Sequence, residues 1–175
     1  MPQFEIICLA NSRKHGGRCV AGLQTDGLGW LRPVGMLAGG TIYPPHYTLN
    51  DGTEAGLLDV IQVGVGAHRP APHQPENWVI DGTTWALLAR PLPDNLTHVL
   101  ANAIVSSPEL LRGFSDRVPY ASFEQQNATA SLALIAPDSI HLYRQLNFSG
   151  RPQARGVFSL GGVGPTSPYD LVVTV

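Results

Sequence analysis

Apolar residues in the first third of this chain come in short bursts of strand length, not at helical spacing. FEIICLA (4–10) is an apolar, β-branched run, and RCVAGLQ (18–24) is a second in which small residues alternate with larger ones. The NSRKHGG between them has the Asn, Ser and Gly content of a loop joining paired strands. A tight turn, TDGLG, leads into GWLRPV (29–34). There Trp30 and Arg32 share one strand face, expected to be exposed, and Leu31 points to the other. Pro33 and Pro44-Pro45 break the pattern, so residues 35–56 read as an ordered loop with at most a short strand. In LLDVIQVGVGA (57–67), Ile61, Val63 and Val65 alternate with Gln62, Gly64 and Gly66, and the glycines point to a bulge or barrel corner. Pro70, Pro72 and Pro75 make the next stretch extended. Residues 78–80 and 84–88 form one more hairpin around Asp81-Gly82.

The period then changes. Asp94 is placed to cap a helix after Pro93, with Leu96, Val99, Leu100, Ala103 and Ile104 on one face. Ser107-Pro108-Glu109 has the form of a second helix start, ending near Gly113. From residue 130 strand signals return in SLALIA, SIHLYRQLNF, RGVFSL and YDLVVTV. The expected fold is therefore mostly β with one or two helices: two small β units, residues 1–92 and 128–175, joined by a helical connector over 93–127.

Composition adds limits to this picture. A chain of 175 residues with 43% hydrophobic and 14% charged residues is globular, and 19 Gly and 15 Pro argue for many turns. No apolar run reaches the roughly 18–20 residues that span a bilayer, and the N-terminus has no basic region before its short apolar run. The expected setting is cytoplasmic, without membrane contact and with Cys8 and Cys19 reduced. The Asn-x-Ser/Thr triplets at Asn95, Asn127 and Asn147 are then chance matches. A net charge of −2 gives no global attraction to a polyanion. Locally it differs: residues 11–32 carry Arg13, Lys14, Arg18 and Arg32 against Asp26 alone, with His15 beside them. Residues 139–169 form a secondary basic window, with Arg144, Arg151, Arg155 and no carboxylate.

An OB-fold is a five-stranded barrel that takes ligands on strands 2 and 3 and on the loops joining strands 1-2 and 4-5. With the first three runs as strands 1 to 3, residues 11–17 become the basic loop 1-2, and Arg18, Trp30 and Arg32 lie on strands 2 and 3. Cations for phosphate and an aromatic for base stacking are what a single-strand binder needs there. The plainer alternative is a solvated hairpin loop with a core tryptophan.

The segment ICLANSRKHGGRCVAG followed by GWLRPV, with LLDV at 57–60, resembles the prokaryotic dual OB-containing domain family. Its members have two OB-like barrels inferred to recognise nucleic acid, many alongside genome-defence or conflict systems. The motif match covers residues 6–34 and 57–60, and the second half fits more loosely. The resemblance implies that the two units are OB-like small barrels joined by the helical connector, 1–92 the first and 128–175 the second, whose completeness it leaves open. It also implies that Ser12, Lys14, Cys19 and Arg32 occupy motif positions. The resulting expectation is a non-catalytic binder of single-stranded DNA or RNA in a defence or stress context, contacting it through Ser12, Arg13, Lys14, His15, Arg18, Trp30 and Arg32.

Two other classes remain open. One is a protein-interaction module on an OB scaffold, meeting a protein partner through the 35–56 and 68–77 loops. The other is a small nucleotide-processing enzyme using Lys14 as a Schiff-base amine or Cys19 as a thiolate beside Arg18. No base stands at a recognisable spacing from either. His15, His46, His68, His73, His98 and His141 are scattered, so no metal is expected; His68, His73 and Glu76 come nearest to a cluster. RKHGGR and GGVGP match neither a phosphate-binding loop nor a dinucleotide fingerprint, and no cofactor is expected. In residues 110–124, Arg112 and Arg117 interleave with Phe114, Tyr120 and Phe123, which reads as aromatics pinning the connector.

Overall fold

The computed structural model describes residues 2–105, 131–160 and 169–173. They fall into two compact units, one running to Val99 and including Ser131, the other starting at Leu100. The first holds β1 (Gln3–Lys14), β2 (Gly17–Gln24), β3 (Trp30–Val34), β4 (Val60–His68), β5 (Asn77–Ile80) and β6 (Ala86–Ala89). Its strand order is β1-β2-β3-β5-β4, and an antiparallel β1–β4 pairing closes the ring. β3 and β5 run parallel, while the β1–β2, β2–β3 and β4–β5 pairs are antiparallel. β6 lies against β4 as an additional strand.

The length of β1 makes closure possible. Its first part, Gln3–Ile7, pairs with β4, and Ile6 onward pairs with β2. An irregularity between Cys8 and Ala10 marks where it bends from one partner to the other. Alternation then directs Ile6, Cys8, Val20, Leu31, Ile61 and Val63 inward. Ile42, Leu49 and Ala55 from the long 35–59 segment complete this core with Trp85. That segment is an ordered loop, as its sequence predicts, tied down by isolated bridges from Ile42 to Arg18 and from Leu49 to Trp85. Gly17 is required where it passes Ile42, because a Cβ there would overlap the Ile42 carbonyl oxygen.

The first hairpin is tighter than its sequence predicts. β1 continues through Asn11–Lys14, and Lys14 pairs with Gly17, so the turn is His15-Gly16 alone. Both have positive φ, 47° and 81°, which matches the twist of the flanking strands. Ser12, Arg13 and Lys14 are therefore strand residues at a rigid tip.

Helix α1 (Pro93–Ala103) begins two residues earlier than a cap at Asp94 predicts. Pro93 takes the first helical position, where its missing N–H is not needed, and Asp94 falls in the first turn. Of the face read from the sequence, Leu96 is buried, whereas Val99 and Ile104 stay exposed. The second expected helix, from Pro108, and the 110–124 stretch lie outside the described residues.

The second unit contains β7 (Ser139–Leu146), β8 (Pro152–Ser159) and β9 (Tyr169–Val173) in an antiparallel meander. SLALIA forms no strand; Leu134 makes a single bridge to Ile104. Phe158 and Tyr169 stack at 5.1 Å to form a small core with Ile135 and Leu171 around it. On the other face, Arg155 Nε donates to Asp170 Oδ1 at 2.7 Å and Tyr143 Oη donates to Oδ2 at 2.8 Å.

The Arg155 hydrogen bond, ahead of that from Tyr143, holds the Asp170 carboxyl below its ordinary 3.8 even though burial opposes it. The bond to Asp170 pushes the Tyr143 phenol above 10.0. Folding thus favours ionised Asp170, a contribution present above pH 3.8 and lost as pH falls through the lowered value. It also favours protonated Tyr143, a contribution present below pH 10.0 and lost as pH rises through the raised value. Asp170→Asn should remove much of both limbs from the pH dependence of thermal melting and bring the Tyr143 ultraviolet titration back down. An unchanged Tyr143 titration would disprove the coupling.

Candidate nucleic-acid interface

At the tip of the first hairpin Arg13 stands directly opposite Arg18. Two like charges in register repel each other, and the second is compensated. Arg18 Nη2 lies 2.5 Å from Glu54 Oε2, and its guanidinium sits 5.9 Å over the Tyr47 ring. Arg13 and His15 are exposed. A cavity of about 450 Å³ opens here, lined by Arg13, Lys14, His15, Arg18, Tyr47 and Glu54. On its other side Lys14 borders a second cavity, of about 330 Å³, whose lining includes Arg69 and His73 from the β4–β5 connection and Asn77 at the start of β5. Lys14 Nζ donates to the Gly39 carbonyl at 2.5 Å, which places its charge between the two.

The remaining residues expected at the site lie elsewhere. Ser12, opposite Cys19, lines neither cavity. Trp30 is half-buried and pairs with Leu23. From the tip at Gly17 that is six residues along β2, about 20 Å at strand rise. Trp30 is thus not the stacking partner of the basic tip; Tyr47 is the aromatic beside it.

Arg32 corrects the expected exposed face of β3. It is only 7% exposed. Its guanidinium pairs with Glu76 and lies 2.5 Å from Ser131 Oγ, and Glu76 also accepts from the Ser131 hydroxyl and, at 3.2 Å, from its backbone N–H. Alternation alone sends Arg32 outward, but Glu76 and Ser131 cover that side of β3. In the secondary window, Arg144 and Arg151 are exposed, while Arg155 is bound to Asp170.

Arg69 and His73 were not legible as site residues. The proline-rich spacing of 68–77 reads as a plain surface loop, and only the barrel's closure carries it to the hairpin tip. Within this loop His68 Nε2 donates to the Pro75 carbonyl at 2.8 Å, and Glu76 is committed to Arg32. Among the described residues no group of three His, Cys, Asp or Glu is placed to hold a metal ion.

The two cysteines do not face each other, since Cys8 pairs with Gly22 and Cys19 with Ser12. Burial, with Asp59 adding to it, pushes the Cys8 thiol up to about 12. At pH 8 a thiol reagent should label Cys19 and reach Cys8 only after unfolding. Equal labelling rates for both in the native protein would contradict the packed position of Cys8.

A ring ordered β1-β2-β3-β5-β4-β1 with β3 parallel to β5 defines an OB barrel, and the basic residues lie at its 1-2 and 4-5 connections. A family model described as the dual OB-containing domain matches residues 4–174, and the chain belongs to that family. No curated protein and no solved structure matches it. No helix among the described residues is long and apolar enough to cross a membrane.

Proposed function

We propose that the first unit binds single-stranded nucleic acid without catalysing a reaction. The observation that supports this reading is the pair of cavities flanking Lys14. They gather Arg13, Lys14, His15, Arg18 and Arg69 on the connections through which OB barrels take oligonucleotides. Among the described residues Glu54 is the one carboxylate lining them. Phosphates meet Arg13, Lys14 and Arg69, and Tyr47 offers a ring beside them. With a net charge of −2 the attraction is confined to this end of the barrel, so binding is local and salt-sensitive. Family resemblance alone supports a prokaryotic, cytoplasmic, genome-defence or stress setting. Fluorescence anisotropy with labelled octanucleotides across a salt series tests the reading. Affinity that does not fall with salt, or is absent at 50 mM, sinks it.

A second reading, a protein-interaction module, draws support from a different place. Met36 and Leu37 are 77% and 68% exposed beside a cavity of about 400 Å³ that Tyr43, Pro44 and Ile80 also line. Pull-down with and without nuclease separates the two, because a protein partner survives the nuclease.

A further inference from the structure

The cavity of about 330 Å³ has a feature that phosphate binding does not use. Asn77, on β5, is 7% exposed and lines it. Its Nδ2 donates to Gln74 Oε1 at 3.2 Å, while Oδ1 is buried with no hydrogen-bond partner among the described residues. A buried amide oxygen without a donor is rare and unfavourable, and a ligand N–H would satisfy it.

The walls on either side are preformed. On one, Gly35 N–H donates to the Gly40 carbonyl and Gly40 N–H to that of Leu37, both at 3.0 Å, and Lys14 clamps Gly39. On the other, Arg69 N–H donates to the Asn77 carbonyl at 2.8 Å, and Ala71 and Gln74 exchange backbone bonds at 3.1 and 2.9 Å. Val34, Leu37, Pro70 and Ala71 give the cavity apolar surface, and Lys14 and Arg69 supply positive charge. Apolar walls with a few fixed polar groups, at this volume, describe a small-ligand site.

We propose that this cavity takes one amino-bearing nucleobase (cytosine, adenine or guanine), its exocyclic amine donating to Asn77 Oδ1 and its phosphate meeting Lys14 and Arg69. The inference rests on the nucleic-acid reading above. In a single strand the Watson–Crick edge is free to enter. Oδ1 has almost no accessible surface, so the Asn77 side chain must turn slightly toward the cavity for an exocyclic amine, which projects beyond the ring, to reach it. In thymine and uracil the ring N–H is flanked by two carbonyl oxygens, which would press on that acceptor first.

Labelled (dC)8 and (dT)8 provide the test, since two pyrimidines differ little in stacking. (dC)8 should bind about tenfold tighter, the worth of one good base contact. Asn77→Leu should abolish the difference and leave (dT)8 affinity within about twofold. Equal wild-type affinities, or a preference that survives Asn77→Leu, overturn the base pocket but leave phosphate binding standing. Absence of binding to either strand overturns the parent reading and this one together. Should Asn77→Leu not fold, the wild-type comparison still decides. Competition by CMP and UMP then identifies the source: CMP displacing (dC)8 well below the UMP concentration shows a site for the free nucleotide. A preference confined to the octamers shows a site for the strand.

Discussion

Arg32→Ala should destabilise the first unit by about 3–5 kcal/mol, visible as a lower urea midpoint, because it leaves the Glu76 carboxylate buried without its cation. Both partners are under a tenth exposed, and among the described residues Ser131 is the partner that remains to satisfy Glu76. The loss reflects an uncompensated charge more than the net worth of the pair. Arg32→Met combined with Glu76→Leu should therefore recover most of it. A cost for Arg32→Ala below about 1 kcal/mol would place the pair in the range of solvated surface ion pairs. The double variant also decides a functional question. If Arg32 met phosphate, its removal would flatten the salt dependence of binding. An interior Arg32 leaves that slope unchanged in a folded double variant.

Removing Arg13, Lys14 and Arg69 together should have the largest effect on binding. For single strands log K falls with log salt at about 0.7 per neutralised phosphate, so three lost contacts flatten the slope by about 2. With affinities converging near 1 M salt, the triple alanine variant should bind about 100-fold more weakly at 0.1 M. These side chains lie at the barrel's surface or on its loops, so the thermal melt should move little. Arg18→Ala is expected to behave differently, since its charge is shared with Glu54 and its loss also frees that carboxylate. A triple variant with wild-type affinity and slope would move the phosphate path away from this end of the barrel, with exposed Arg144 and Arg151 the next cations to examine.

Most of the strand content was legible, because period-two alternation in runs such as Ile61, Val63, Val65 depends on which face meets the core, and this barrel has one core. The first hairpin was legible as a pairing but not in length, since Asn11–Lys14 is polar and nothing in composition separates a polar strand end from a loop. The same limit explains SLALIA, whose apolar pattern is that of a strand, but whose Leu134 makes one isolated bridge, to Ile104, among the described residues. Trp85 lies at the edge of a weak hairpin in sequence yet is 1% exposed, because the 35–59 segment folds Leu49 against it.

By itself the sequence determined a β-rich chain with one well-signalled helix, the order of its elements, and a basic first hairpin. Local alternation, turn chemistry and charge all act within a few residues of one another. Tertiary structure alone decided which cations line the same cavities. Barrel closure brings Arg69 and Asn77 beside Lys14 across more than fifty residues. It also places Trp30 about 20 Å along β2 from that tip and covers Arg32 with a carboxylate from a distant loop. Alternation fixes the side of a strand a residue occupies, whereas exposure depends on what the rest of the chain lays over that side.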